Sequence, residues 1–323
     1  MPLQLVTGGA GFIGSHLVHA LVRRGDRVRV LDDLSSGRLE NLEGARNARE
    51  GRGGAVDVVQ GSITDPAACR AVCAGVECVF HEAAQVSVPR SIEDPVRSYE
   101  VNVMGTLRLL EAARHAGVSR FVFAASSAAY GNSLVLPKVE DMPPHPMSPY
   151  ASGKLAAEHL LRVYGELHGM RTVALRYFNI FGPRQADDSP YTGVIALFAR
   201  ALLEGRRATI YGDGEQTRDF TYVDNVVQAN LLAASTELEP GIVINIGAGE
   251  RVSVNALYRE IAALLGSDVA PIHVDARSGD VRDSLASLAR ARERLGYSPS
   301  VAWRAGLEMT VEWYRRRLSA AQR

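Results

Sequence analysis

The amino-acid sequence predicts an α/β protein: a doubly wound parallel sheet followed by a smaller C-terminal α/β lobe. Three observations lead there. Short, nearly continuous apolar runs alternate with amphipathic segments through the first half, the pattern of strands covered on both faces by crossover helices. A glycine cluster directly follows the first apolar run. Beyond residue 178 the alternation gives way to turn-rich stretches, with helices and fewer strands.

Residues 3–7 are the first strand, and they run straight into Gly8-Gly9-Ala10-Gly11-Phe12-Ile13-Gly14. Two glycine spacings are met at once, Gly8/Gly11/Gly14 and Gly9/Gly11/Gly14. Glycine at these places permits a tight turn, close approach of a pyrophosphate to the backbone, and close helix–strand packing. Segment 12–24 is the amphipathic helix that follows; the free N–H groups and dipole at its start favour an anion. Segment 27–31 is the second strand and leads into Asp32. A carboxylate there accepts hydrogen bonds from an adenosine 2′-hydroxyl and repels a 2′-phosphate, which points to NAD rather than NADP. Strand, glycine turn, helix, strand and acid in this order form the fingerprint of a Rossmann-type dinucleotide fold. Further along, 56–60, 77–81, 120–125 and 172–177 read as strands, and 65–74, 95–116 and 150–168 as helices. Ser148 suits the N-cap of the last helix and Pro149 its first position. The Pro-rich run 142–149 reads as a rigid loop that delivers Tyr150, not as a domain linker. Segments 182–191 and 211–218, rich in turn residues, open the less regular second lobe.

With 323 residues, 46% of them hydrophobic, the chain has ample core for one large or two modest domains. Thirty-six acidic residues balance 36 basic ones, so nothing in the charge suggests nucleic acid or an anionic membrane surface as partner. No apolar run reaches membrane-spanning length and no signal-like segment opens the chain, so a cytoplasmic protein is expected. Cys69, Cys73 and Cys78 lack the paired spacing of a zinc site and read as buried free thiols; no metal is expected.

Tyr150 and Lys154 stand four residues apart on the expected helix, so their side chains share one face. Lys154 is one of two lysines among the 36 basic residues. A chain so rich in arginine keeps lysine where a compact ammonium is needed, as beside a phenol that must lose its proton. Ser126 and Ser127 lie where the strand 120–125 ends. Ligands of open α/β sheets bind outside the carboxyl ends of the strands, so Ser126 is placed to hydrogen-bond a reacting sugar or alcohol oxygen beside Tyr150.

These motifs, together with those at 32–37, 81–95, 102–106, 176–185 and 212–225, extend over nearly the whole chain. The chain resembles the extended short-chain dehydrogenases/reductases, specifically the NAD-dependent nucleotide-sugar epimerases and dehydratases. Within that group it is most similar to the UDP-hexose 4-epimerases, above all those acting on UDP-N-acetylhexosamines. The resemblance implies a Rossmann domain over 1–178 with a return segment near 219–246, and a nucleotide-sugar lobe over 179–323. It implies that Gly8, Gly11, Phe12, Ile13 and Gly14 contact the pyrophosphate of NAD and Asp32 the adenosine ribose. Ser62 and Ile63 would lie at the adenine, Ala83 and Ala84 near the nicotinamide ribose, and Asn102 in the matching cofactor motif. Ser126, Ser127 and Asn179 would hold the sugar nucleotide, and Arg218 and Arg277 its diphosphate. Ser62 departs from the family, which usually carries Asp there; a serine still accepts a hydrogen bond from the adenine amino group.

The implied reaction is a redox-neutral 4-epimerisation. Tyr150 as phenolate takes the C4 hydroxyl proton while NAD accepts the C4 hydride and returns it to the other face. A free tyrosine has a pKa of about 10. A positive charge about 6 Å away at an effective dielectric near 20 is worth roughly 2.8 kcal/mol, or about two pKa units. Lys154 is therefore expected to lower the phenol, with the positive nicotinamide adding to it. Ser127 and Ala128 occupy the positions where dehydratases and decarboxylases of the family carry acids, which argues against those reactions. The residue matching the family's sugar gatekeeper is Ser284, small enough to admit a 2-acetamido group. UDP-GlcNAc and UDP-GalNAc are the expected pair. UDP-glucose or UDP-glucuronate 4-epimerisation, or a catalytically silent NAD-binding regulator, are the alternatives. A homodimer is expected through helices 95–116 and 150–168, with Val103, Leu107, Leu110, Leu155, Leu160 and Leu161 shared between core and partner.

Overall fold

The computed structural model describes residues 1–46, 55–186, 193–276 and 281–321. In chain order the first half runs β1 (Leu3–Thr7), α1 (Phe12–Arg24), β2 (Arg27–Asp32), α2 (Glu43–Arg46), β3 (Val56–Gln60), α3 (Pro66–Cys73), β4 (Cys78–His81), α4 (Val88–Glu93), α5 (Pro95–Tyr99), α6 (Thr106–His115), β5 (Arg120–Ser126), α7 (Pro149–His168) and β6 (Arg171–Tyr177). The second half runs β7 (Ile180–Phe181), α8 (Val194–Leu203), β8 (Thr209–Tyr211), β9 (Thr217–Arg218), β10 (Thr221–Tyr222), α9 (Val223–Ser235), β11 (Ile242–Ile246), β12 (Val252–Ser253), α10 (Val254–Leu265), β13 (Ile272–Val274), α11 (Ala289–Leu295) and α12 (Trp303–Ala321).

Seven strands form a parallel sheet in the order β11-β6-β5-β4-β1-β2-β3. The chain steps outward from β1 through β2 to β3, then returns to lay β4 on the other side of β1. The crossovers diverge there, which opens a crevice at the carboxyl ends of β1 and β4. Register aligns those ends: Thr7 lies opposite both Leu31 and His81, and Ser126 lies opposite Tyr177. Alternate residues of each strand serve opposite faces. Val6, Val30 and Phe80 pack in one buried cluster with Leu17, Leu21 and Val226; Leu5, Leu31 and Val79 pack in another with Leu109, Phe121 and Leu161. Burying each such side chain contributes about 1.5–3 kcal/mol. A third cluster, including Phe198, Ile210, Leu257 and Trp303, forms the core of the second lobe.

Local chemistry sets the helix ends. Ser148 accepts a hydrogen bond from Ala151 N, Pro149 occupies the first turn, and Gly169 ends α7 in the left-handed conformation, as capping rules require. The expected single helix over 95–116 contains a π-helical turn at Glu100–Gly105. Its wider winding carries Asn102 toward the loop after β4. Cys69, Cys73 and Cys78 are buried free thiols on α3 and β4. Leu110 and Leu161, expected to be shared with a partner, are fully buried in the chain's own core. Residues 187–192 of the turn-rich segment lie outside the described residues.

Candidate active site

A cleft of about 1590 Å³ runs along the carboxyl edge of the sheet, from the glycine turn to the second lobe. It exceeds the roughly 300–1,000 Å³ of a common small-molecule site, enough for a dinucleotide and a sugar nucleotide together. At its cofactor end Gly8 N donates to Leu31 O at 2.8 Å and Gly11 N to Gly8 O at 3.0 Å, closing the turn on the sheet. Gly8 has φ +68°, and a Cβ there would sit 2.7 Å from Ala83 N; one on Gly14 would sit 2.2 Å from Gly8 O. Only glycine fits. Helix α1 has no side-chain cap, and Gly11, Phe12, Ile13 and Gly14 line the cleft, leaving first-turn N–H groups for an anion. Asp32 accepts from Ala10 N and Leu34 N, both at 2.9 Å. Two backbone bonds leave acceptor positions over. Burial raises the Asp32 carboxyl, and those two bonds oppose the rise. A side-chain-free turn beside a spare carboxylate fits a dinucleotide.

Asp33 and the 61–63 turn continue this wall. Ile63 is buried against Gly105, and Ser62 lines the cleft with its hydroxyl 2.9 Å from Thr64 Oγ1. Ala83 and Ala84 line the centre. Asn102, expected in the cofactor motif, sits behind the loop that follows β4. Its amide accepts from Gln85 N at 2.9 Å and donates to Gln85 O at 3.1 Å, so it braces the loop that carries Ala83 and Ala84.

Ser126, Ser127, Tyr150 and Lys154 meet on one wall of the same cleft. Burial raises the Tyr150 phenol, and a hydrogen bond with Ser126 lowers it. The Lys154 ammonium is turned to β5, donating to Ala124 O at 2.7 Å and lying 4.7 Å from the Phe123 ring centre. Burial pulls Lys154 down to about 8 against the opposing charges of Glu82 and Glu158. Glu158 is committed elsewhere: its two oxygens take Arg176 at 2.9 and 2.7 Å, a buried bidentate pair.

Glu82 escaped the sequence reading, although it immediately precedes Ala83-Ala84 at a strand's carboxyl end. It lines the cleft and accepts from the Tyr177 hydroxyl at 2.9 Å, which in turn accepts from Asn230 Nδ2 at 2.7 Å. Burial lifts its carboxyl to about 7.

At the end toward the second lobe Asn179, Arg218 and Ser284 line the cleft. Asn179 adopts φ +34° and donates to Asp219 O at 3.3 Å. Arg218 donates to Thr217 O and Arg282 O, at 3.0 and 3.1 Å. Ser284 is tied by its N–H to Thr217 O at 3.1 Å. Arg277 lies outside the described residues. Asp219, buried and also unforeseen, accepts from Ala248 N, Gly249 N and Ala286 N at 2.7, 3.1 and 3.0 Å. The second lysine, Lys138, lines this end with its ammonium donated to Val135 O at 2.9 Å and to Ser133 O. Among the described residues no cluster of metal-ligating side chains occurs, and no helix is long and apolar enough to cross a membrane.

Sheet order, glycine turn and the Ser–Tyr–Lys wall define a dinucleotide-binding α/β enzyme of the short-chain dehydrogenase type. The chain belongs to the NAD dependent epimerase/dehydratase family, whose model matches residues 4–247. It is 44% identical over 312 residues to a UDP-glucose 4-epimerase of Mycolicibacterium smegmatis, covering 96% of this chain and 98% of that one. A UDP-N-acetylglucosamine 4-epimerase from Methanobrevibacter ruminantium, solved with UDP-N-acetylmuramic acid, superposes with a TM-score of 0.92 at 36% identity, over 98% and 99% of the two chains. A UDP-glucose 4-epimerase of Thermotoga maritima, solved with UDP-glucose, gives 0.91 at 40% identity, again over 98% and 99%.

Proposed function

We propose that this chain is an NAD-dependent 4-epimerase of UDP-sugars, and that UDP-GlcNAc and UDP-GalNAc are the pair it interconverts. The observation that carries the reading is the convergence of Ser126, Tyr150 and Lys154 on the cleft that also contains the glycine turn and Asp32. Gly8, Gly11–Gly14 and Asp32 would hold NAD, which when bound would supply reversible hydride acceptance at sugar C4. The chain's own residues handle the proton. Tyr150 accepts it from the C4 hydroxyl, and Ser126, through its hydrogen bond, holds both the phenol and the sugar oxygen in reach. Lys154 contributes positive charge behind the phenol and stays fixed on Ala124 O. Ser127 and Ala128 offer no acid for elimination at C5 or C6.

The acetylated substrate is favoured because Ser284 is small and lines the sugar end. Asn179 and Arg218 are assigned to the sugar nucleotide and its diphosphate on their position in that wall. A second copy is the expected partner. Ile92 on α4, Val96 on α5 and Leu167 on α7 are 62%, 78% and 71% exposed, apolar side chains that a second copy would cover.

The test is to incubate the purified protein separately with UDP-GlcNAc, UDP-glucose and UDP-glucuronate and follow the anomeric proton signals. Interconversion of UDP-GlcNAc and UDP-GalNAc is expected. Conversion of UDP-glucose alone would sink the substrate assignment. No conversion of any of the three, with NAD bound, would make the chain a cofactor-binding regulator.

A further inference from the structure

Arg176 and Glu158 take no part in the reaction just described, yet they stand directly behind the residues that do. Arg176 is on β6 opposite Ala125 of β5, one place before the pair Tyr177 and Ser126. Glu158 is on α7, one turn beyond Lys154 and about two beyond Tyr150. Nε and Nη2 of Arg176 donate to the two Glu158 oxygens at 2.9 and 2.7 Å, and the side chains are only 5% and 4% exposed. The face of the same guanidinium lies on the Tyr130 ring, 4.8 Å from its centre. Tyr130 ends the short 3₁₀ turn Ser127–Tyr130 that Ser126 caps, and its hydroxyl donates to Asn245 Oδ1 at 2.7 Å. One guanidinium thus has the helix of Tyr150 at its edge and the turn of Ser126 on its face.

Stability does not account for this arrangement. The neighbouring residues are core: Ala157 and Leu161 of α7 with Ala174 of β6 in one buried cluster, Tyr130 and Leu175 in the other. Taking two charges out of water costs about what their attraction returns, and apolar side chains of similar volume often serve the fold as well or better. An apolar contact can slide. A forked bond between guanidinium and carboxylate fixes both a distance and an angle.

We propose that Arg176 and Glu158 are a positioning pair for the 4-epimerase reaction: their fork joins β6 to α7 and, with Tyr130 stacked on it, sets the spacing of Ser126 and Tyr150. The inference rests on the proposed function, in which those two hydroxyls must reach one sugar oxygen. A misplacement of about 1 Å at such a site costs on the order of 10²-fold in rate.

Removing one partner would strand a buried charge, so the test removes both. The double variant Glu158→Leu with Arg176→Met takes away no net charge, and the methionine keeps a contact for the Tyr130 ring. It should unfold within about 4 °C of wild type or above it, keep its NAD and its KM, and lose about 10–100-fold in kcat. Arg176→Lys, which keeps the charge and drops the fork, should lose less. A second readout needs no sugar. The Ser126 hydroxyl opposes the rise that burial imposes on the Tyr150 phenol, so a turn that drifts from α7 should raise its titration midpoint by about 0.5–1 pH unit. Tyrosine labelled with ¹³C at Cζ reports that midpoint, and Tyr150→Phe identifies the signal. If the double variant does not fold, the same two measurements on Arg176→Lys decide. An unmoved phenol, a wild-type kcat, or a kcat that falls only in step with the loss of folded protein would overturn the proposal. If wild type converts no UDP-sugar, the function fails, and the phenol midpoint still judges the pair.

Discussion

The two ends of the cleft are held by different kinds of bonds. At the cofactor end the backbone does the holding: Gly8 and Gly11 close the turn with main-chain bonds, and Asp32 grips two further amides. At the sugar end the holding falls to buried side chains that tie distant loops. Asp219 joins residues 248, 249 and 286. Asn245 of β11 takes the Tyr130 hydroxyl at 2.7 Å and donates to Lys138 O at 2.9 Å, while Lys138 N donates to Leu285 O at 2.7 Å. A backbone-built end can bind a constant ligand with little dependence on side chains. An end assembled from loops pinned by a few polar groups can change its substrate by changing one of them. Ser126, Tyr150 and Lys154 lie between the two.

Substitutions along the cleft sharpen that contrast. The largest effect belongs to the middle: Tyr150→Phe should lower kcat by about 10³-fold or more with little change in KM, since it removes the proton acceptor and little ground-state binding. Bound nucleotide, released by denaturation and quantified, should remain at wild-type occupancy. A variant with near-normal turnover would remove Tyr150 from the proton path.

Next in size, Ser284→Tyr should cut turnover of UDP-GlcNAc by about 10–200-fold, the range a pocket contact commands, while sparing any activity toward UDP-glucose. Equal losses for both sugars would mean that Ser284 supports the loop and does not select the substrate.

The contrast also explains what could be read from the sequence. The cofactor end is written in consecutive residues: strand 3–7, the glycine turn and Asp32 occupy one stretch, and the strand and helix periods around them match the fold. Tyr150 and Lys154 were legible because one helix turn sets their spacing. Glu82, Tyr177 and Asn230 come from three elements, and Asp219 acts on amides 29 and 67 residues away, so no local pattern announces them. The brace from Asn102 to the Gln85 loop was hidden for another reason. Asn102 sits in a family motif, yet the π turn at Glu100–Gly105 aims its amide at Gln85. Periodicity over 95–116 could not reveal that turn, because a π turn adds one residue without altering the apolar pattern much. The hold of Lys154 on Ala124 O was out of reach as well, because it joins α7 to a strand residue 30 positions earlier.

Asp219→Asn tests the sugar end as an assembly. The asparagine keeps one acceptor and turns an N–H₂ toward backbone donors, so the strap at residue 286 loses its anchor. KM for the UDP-sugar should rise by about tenfold, the equivalent of one hydrogen bond to a charged group, and NAD occupancy should hold. A fall in NAD occupancy matching the rise in KM would show that the two ends are one unit, which would break the comparison.

The smallest effect is a difference in acid response between the ends. His16, on α1 at the cofactor end, is held down to about 4 by burial; its ring lies 2.9 Å from Pro183 O. The unfolded chain takes up that proton near the ordinary value of 6.5. As pH falls from 7.5 to 5.5 the unfolded state therefore binds more protons than the folded state, and His16 costs about 1 kcal/mol of stability. Asp219 at the sugar end is lifted by burial from 3.8 to about 6. Its folded form keeps a proton that the unfolded form has released, so acidification over the same interval relieves part of its cost. The two ends oppose each other. Thermal unfolding of wild type and His16→Gln at both pH values separates them. The variant should gain about 2 °C on wild type when the pH is lowered, because it no longer has an imidazole to protonate on unfolding. Asp219→Asn should lose ground on wild type over the same change. If the gap between wild type and His16→Gln is the same at pH 7.5 and 5.5, the buried imidazole does not titrate with unfolding, and the acid response of the cofactor end has another source.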